Sequence, residues 1–358
     1  MPGGLDFTSA LYLGLRHPYS ELASWDALTL GKPAALEVAA TNRLLARRLA
    51  DLTGGEDAVL GSSTLHLFLD LYELLSKDPR VVFVADGRLY PIGRWGLDRA
   101  RAQGRDVRWF EHHDPLSLRR ALARRPGRPV IVTDGFCPAC GREAPLREYV
   151  AVARRFGGRL LVDDAQALGV LGPRGAGTCV KQGVLGEEVV QVSSLAKGFG
   201  APLAVCSGGR ELVEQLRSEG LTQVHCSPPS AASVAAGLRA LEINDVEGDR
   251  LRAWLAMLIR RFRSRVGSAG IHLHGGSFPM QTYAGEDAVQ LNERLQEQGI
   301  QTVLHRPRKE SLPCVSFLLS AAHGVKEIET AARAVVKTIG KAAPIRRNIS
   351  NASMAISV

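Results

Sequence analysis

A series of short apolar runs, separated by helix-like stretches, constrains this chain more than any other feature. Val81-Val82-Phe83-Val84-Ala85, Pro129-Val130-Ile131-Val132-Thr133, Arg159-Leu160-Leu161-Val162, Val189-Val190-Gln191-Val192 and Leu203-Ala204-Val205-Cys206 each read as a buried strand. They do not alternate apolar with polar residues, so each expects cover on both faces. Helical patterns such as Pro115 to Arg124 and Leu146 to Phe156 lie between several of them. Such strands, joined by helices, imply an α/β fold with a mostly parallel sheet flanked on both sides. Ligands of these sheets bind beyond the carboxyl ends of the strands.

The 358 residues suit a large domain plus a smaller one. We expect an N-terminal arm over 1–35, a large domain over 36–235, a small C-terminal α/β domain over 236–342, and a loose polar tail over 343–358. A helix over 36–53 ends at Gly54-Gly55. In the C-terminal part, Ser230 to Glu242 and residues 248–266 read as two helices. Strand candidates follow at Ile271 to His274 and Cys314 to Leu319, then a last helix at Val325 to Ile339. No stretch approaches the roughly 18 apolar residues that span a membrane. The start, Met1-Pro2-Gly3-Gly4-Leu5-Asp6, lacks the basic and apolar regions of a secretory signal. The expectation is a cytoplasmic protein without a membrane partner.

Forty-five basic and 36 acidic residues leave a formal charge of +9. The arginines are scattered, without interleaved aromatics, which argues against nucleic acid and for anionic small molecules. Six cysteines without a signal read as reduced thiols. Only Cys137-Pro138-Ala139-Cys140 has the spacing of a zinc or redox pair. No second ligand pair stands out, so the sequence gives no metal and reads this as loop.

Three segments carry chemistry. Lys197 follows a strand in Ser193-Ser194-Leu195-Ala196-Lys197-Gly198-Phe199-Gly200. Asp163 ends a strand in Leu161-Val162-Asp163-Asp164, which aims an acid into the ligand crevice of a parallel sheet. Gly61-Ser62-Ser63-Thr64 opens a helix running from Leu65 to Leu75, and helix N-termini bind phosphate. Each has a plain structural reading alone: surface lysine, helix cap, capping sequence. Together they match what pyridoxal 5'-phosphate (PLP) needs: a lysine for a Schiff base, an acid at the pyridine nitrogen, and an anion cradle. Asp163 and Lys197, one strand–helix–strand excursion apart, fall on neighbouring strands.

The chain resembles the α-oxoamine synthases, PLP-dependent acyltransferases of the fold-type-I aspartate aminotransferase superfamily. The resemblance rests on Leu5 to Leu15, on Val162-Asp163-Asp164-Ala165-Gln166 onward to Gly175, on Ser194 to Gly200, on Cys226-Ser227-Pro228-Pro229 and on Ser320-Ala321-Ala322-His323, in order over residues 5 to 340. It implies that Lys197 holds PLP and Asp163 pairs with its ring nitrogen. It places Ser194 near the cofactor and Tyr90 on the ring face, where the family has histidine. Ser63, Thr64 and Leu65 would hold the phosphate, helped across a homodimer interface by His225 or Cys226. Tyr12 would face the substrate.

Departures cluster where the substrate binds. Gln166 stands where the family has histidine; an amide donates a hydrogen bond but is no acid or base. Leu30 to Ala35 replaces a Gly- and Arg-containing segment, and Ala10 an asparagine. The family's carboxylate-binding arginine positions fall on Cys314 and Ser316, leaving Arg306 and Arg308 as substitutes. The expected reaction is condensation of an amino acid with an acyl thioester, on coenzyme A or a carrier protein. The alternative is aminotransfer on an atypical substrate. A binding protein on a degenerate scaffold is a third reading, opposed by the retained Asp163 and Lys197.

Overall fold

The computed structural model describes residues 4–123, 127–306 and 312–340. Arg308 and the 343–358 tail lie outside the described residues. By internal contacts the chain divides into a larger unit, 15–136 with 143–248, and a smaller one, 1–14 with 137–142 and from 249 onward. The sequence suggested a division at 235/236.

The larger unit is built on a seven-stranded sheet: β1 (Asp57–Gly61), β2 (Val81–Asp86), β3 (Asp106–Phe110), β4 (Arg128–Asp134), β5 (Arg159–Asp163), β6 (Val189–Ser194) and β7 (Ala204–Gly208). Their order is β1-β7-β6-β5-β4-β2-β3. Only β7 runs against its neighbours, pairing antiparallel with β1 and β6. The sheet is therefore mostly parallel, as the apolar runs imply. Its helices are α1 (Ala40–Thr53), α2 (Thr64–Leu75), α3 (Pro91–Ala102), α4 (Pro115–Ala123), α5 (Leu146–Arg155), α6 (Thr178–Gln182), α7 (Arg210–Glu219) and α8 (Leu221–His225).

Strand pleating splits the core in two. On β2, Val81, Phe83 and Ala85 join the layer containing Leu67, Phe68 and Leu71 of α2 and Leu97 of α3. Val82 and Val84 face the opposite layer, with Leu118 of α4 and Tyr149 and Val150 of α5. Side chains two apart share a face, so an unbroken apolar strand feeds both layers. Helix ends follow local chemistry. Gly54 stops α1 with a left-handed φ of 72°, and Pro91 starts α3, where a missing N–H costs nothing.

Helix α9 (Ala231–Gly267) is one continuous element of 37 residues where two were expected. No proline interrupts it, and Gly248 weakens a helix by only about 1 kcal/mol. The smaller unit holds β8 (Met280–Ala284), β9 (Val303–His305) and β10 (Cys314–Leu318), in the antiparallel order β8-β10-β9. It also holds α10 (Ala288–Glu297) and α11 (Val325–Gly340). Leu5–Asp6 pairs in parallel with Ile300–Gln301. Residues Ile271 to His274 form no strand; only an isolated bridge joins His274 to Thr282. Gly270, Gly275 and Gly276, all with positive φ, break the extended backbone there. Among the described residues no helix is long and apolar enough to cross a membrane.

Candidate active site

Register gathers the chemistry at one edge of the large sheet. Asp134 and Asp163 end β4 and β5 and are parallel-strand partners. Ser194 ends β6, opposite Ala204 of β7, which in turn lies opposite Gly61 at the end of β1. The loop to α2, the loop to α3 and the loop after β6 therefore leave the sheet on the same side. These carry Ser63, Thr64 and Leu65, then Tyr90, then Lys197.

Lys197 sits in a one-turn loop closed by the Leu195 carbonyl, which accepts from Phe199 N at 3.2 Å and Ala201 N at 3.1 Å. Glycine seats this loop. A Cβ on Gly198 would stand 2.3 Å from the Leu168 oxygen and 3.0 Å from the Gly169 Cα. Lys197 is thus fixed against the segment that follows Asp163. Burial lowers the Lys197 pKa, opposed by the charges of Asp163 and Asp134. A lowered amine pKa favours the neutral, nucleophilic form.

Asp163 is 7% exposed and accepts a hydrogen bond from Ala165 N at 3.0 Å. Burial raises its pKa, while that hydrogen bond and Lys197 lower it. The next residue, Asp164, does a different job. It accepts from Thr178 N at 2.7 Å, from Thr178 Oγ1 at 2.6 Å and from Gln191 Nε2 at 3.1 Å. Burial pushes it up to about 7. Gln166 is half-buried in the turn after β5, where Ala167 N bonds the Asp164 carbonyl at 2.9 Å.

Asp134 was not singled out in the sequence. Burial and then Asp163 raise its pKa well above the carboxylate range. Its Oδ1 accepts from Tyr90 N at 3.3 Å. Tyr90 is half-buried, and its phenol is raised first by burial, then by Asp163 and Asp134. The available signal was positional: Asp134 closes an apolar strand just as Asp163 does. Asp86, at the end of β2, was also passed over. It is 1% exposed and accepts from His112 Nδ1 at 2.7 Å and from the backbone N–H groups of Arg88 and His113.

Ser63 is extended and makes no side-chain cap to α2; its Oγ bonds His66 Nδ1 at 2.8 Å. The first N–H groups of a helix have no intrahelical acceptor and favour anions. Leu65 is 41% exposed, and its apolar side chain offers an anion no donor. His225 and Cys226 stand exposed at the end of α8. That helix is held by Asp70, which accepts from Thr222 N at 2.7 Å and Thr222 Oγ1 at 2.6 Å.

The smaller unit carries the expected substrate residues. Tyr12 is 1% exposed, edge-on to Phe278 at 5.3 Å. Arg306 is exposed. Cys314 and Ser316 are buried on β10; Ser316 Oγ meets Thr282 Oγ1 at 2.8 Å and His305 Nε2 at 3.0 Å.

A lysine with a lowered pKa, a buried acid and an anion-binding helix start share one sheet edge, so this donor set fits PLP. Tyr72 Oη supports the fit: it is buried without a hydrogen-bond partner and feels the charges of Asp163 and Asp134.

Residues 42–335 match the family model "Aminotransferase class I and II". The 8-amino-7-oxononanoate synthase of Alkalilimnicola ehrlichii is 33% identical over 304 residues, covering 83% of this chain and 76% of that one. The chain belongs to the α-oxoamine synthase family. A second 8-amino-7-oxononanoate synthase, from Nitrosococcus oceani, is 31% identical over 349 residues and covers 94% and 91% of the two chains. Solved structures share the fold of these synthases. Serine palmitoyltransferase of Sphingomonas wittichii has a TM-score of 0.83 at 22% identity, covering 94% of this chain and 87% of its own. The 8-amino-7-oxononanoate synthase of Francisella tularensis has 0.76 at 20%, covering 95% and 98%. Like its family, this chain is a PLP-dependent transferase of the condensing class, and transamination is not favoured.

Proposed function

We propose that the protein joins an amino acid to an acyl thioester, with Lys197 as the residue that binds PLP and moves the proton. The reaction balances as amino acid plus acyl thioester giving an α-amino ketone, carbon dioxide and a free thiol. The observation that carries this reading is Lys197 beside Asp163 on adjoining strand ends, in a chain whose curated relatives are synthases.

Bound PLP supplies an electron-accepting ring that stabilises negative charge at the amino acid's α-carbon. The rest falls to the protein. Asp163 holds the proton on the pyridine nitrogen by opposing its positive charge from a buried position. The N-terminal N–H groups of α2, with Ser63, Thr64 and Leu65, bind the phosphate. Tyr90 covers the ring face, positioned by its backbone bond to Asp134. Gln166 and Ser194 donate hydrogen bonds to the cofactor's polar edge. The Lys197 amine, its pKa lowered by burial, takes and returns the α-proton.

The amino acid's carboxylate needs a cation. With Cys314 and Ser316 at the usual arginine positions, Arg306 and Arg308 fill that role in our reading, while Tyr12, buried against Phe278, is left to packing. The exposed end of α8 supports a homodimer in which His225 or Cys226 reaches the partner's phosphate site. We place the protein in the cytoplasm.

The test supplies the PLP-loaded protein with a panel of amino acids and acyl thioesters. Product mass and free thiol are then measured. An α-amino ketone formed only when both substrates are present supports the proposal. A 2-oxo acid formed from the amino acid without a thioester would mean transamination and refute it.

A further inference from the structure

We propose that His17 is a positioning residue for Lys197: its neutral ring, with the proton on Nε2, ties the lysine loop to the N-terminal arm and to α9. The inference rests on the reading of Lys197 given above. The loop's own bonds use the Leu195 carbonyl; the Phe199 carbonyl, two residues past the lysine, is bonded instead by His17 Nε2 at 2.8 Å. On its other side the ring meets Arg239 Nη1, 3.2 Å from Nδ1. A guanidinium has donors and no acceptor, so Nδ1 must accept. The ring proton is therefore on Nε2, which donates it to the Phe199 carbonyl. The two neighbours fix one tautomer and one charge state. An imidazolium would turn an N–H toward the Arg239 donor and set two positive charges side by side.

The arm is fastened on both sides of the ring. Arg239, on α9, also donates to the Arg16 carbonyl at 3.1 Å and pairs with Glu21. The lysine loop meets the arm directly at Gly200, whose φ is 65°. A Cβ there would stand 2.4 Å from the Leu15 oxygen and 3.5 Å from His17 Nε2. Among the described residues, the charged groups at the ring are Arg239 of α9 and, paired with it, Glu21 of the arm; the lysine loop offers a backbone carbonyl. His17 is half-buried, and burial lowers its pKa first; the Phe199 bond opposes this and Arg239 adds to it. A value lowered in the fold means that the hold is present above the ordinary histidine value of about 6.5. It is lost as pH falls through the lowered value and Nδ1 takes a proton.

The test compares His17→Phe, which keeps the bulk without donor or acceptor, with His17→Gln, whose amide can donate to the Phe199 carbonyl without titrating. Both are made in full-length, PLP-loaded protein. The first readout is hydrogen exchange of residues 195–201, which does not depend on turnover. His17→Phe should exchange this segment at least about 10-fold faster, and His17→Gln should not. At about pH 7.5, His17→Phe should lose about 10-fold in kcat for thiol release with little change in KM, while His17→Gln stays within about 3-fold. Below about pH 6 the unaltered protein should lose kcat relative to His17→Gln. Borohydride reduction checks the lysine separately. A pyridoxyl group on another residue would refute the reading of Lys197, while exchange of residues 195–201 would still decide whether His17 holds the loop. Should His17→Phe fail to fold, the pH comparison with His17→Gln decides the matter. Unchanged exchange in His17→Phe, equal kcat losses in the two variants, or parallel pH profiles of His17→Gln and the unaltered protein would each overturn the proposal.

Discussion

Gly198→Ala should damage the lysine loop without touching any reacting atom. Its φ lies outside the left-handed region, so the obstacle is contact alone. The added Cβ would sit 2.3 Å from the Leu168 oxygen and 3.0 Å from the Gly169 Cα. The shorter distance is roughly 1 Å inside an ordinary non-bonded contact. Both obstructing atoms are backbone, so no rotamer can swing away. Either the Lys197 loop moves or the segment after Asp163 does. Such overpacking costs about 1–3 kcal/mol. In a chain of 358 residues that is a fall in Tm of roughly 1–4 °C. Displacing a reacting amine by about 1 Å costs on the order of 10²-fold in rate. The assays are thermal unfolding and kcat for thiol release. Gly267→Ala is the control, because Gly267 ends α9 and nothing lies within 4 Å of its Cβ position. If Gly198→Ala matched the control in both Tm and kcat, the close approach of the two loops would be refuted.

Lys197→Ala should retain PLP through its phosphate yet lose activity by about 10³-fold or more. Borohydride reduction and peptide mapping should place the pyridoxyl group on Lys197 in the unaltered protein and on no residue in the variant. Asp164, raised to about 7 in the fold, is protonated there while the unfolded chain's carboxyl ionises near 4. Its contribution is complete below about pH 4 and is lost as pH rises to about 7, at up to ~1.4 kcal/mol per unit. Urea unfolding across that window should show this slope, and Asp164→Asn should flatten it. Burial and then Asp163 raise Asp134 well above its usual value, which favours its protonated form. Asp134→Asn keeps an oxygen for Tyr90 N and should retain kcat within about 10-fold, whereas Asp163→Asn should lose far more. Equal losses in the two variants would show that Asp134 works ionised.

The sequence displayed strands better than their directions. Leu203 to Cys206 reads as a buried strand either way round, and only the pairing shows that β7 opposes β1 and β6. The edge strand β3 escaped notice because Asp106 and Arg108 dilute its apolar signal. Lys197 and Asp163 were legible because loop glycines and a strand-terminal acid are local patterns. Asp134 was not, since its significance lies in a neighbour 29 positions later, supplied by register alone. Residues 137–142 taught a similar lesson. The cysteine spacing was plain, but their grouping with the distant Gly275–Gly276 segment depends on two glycine backbones meeting.

The Asp163–Asp164 pair shows how one dipeptide can serve chemistry and scaffold together. Adjacent residues at a strand end project to opposite sides, so the two carboxylates meet different surroundings. Asp163 finds one backbone N–H and an amine. Asp164 finds three protein donors and no cation. A fully satisfied carboxyl is a brace: Asp164 fastens Thr178, and through it the turn at Gly177, where a Cβ would stand 2.1 Å from Asp164 Oδ2. That turn bonds back to the chain after Asp163, through Gly177 N to the Leu171 oxygen at 2.8 Å. An under-satisfied carboxyl is instead available to a cationic ring nitrogen. Exchanging the two surroundings would leave neither role filled, so the order strand, acceptor for ligand, acceptor for loop is dictated by the pleat.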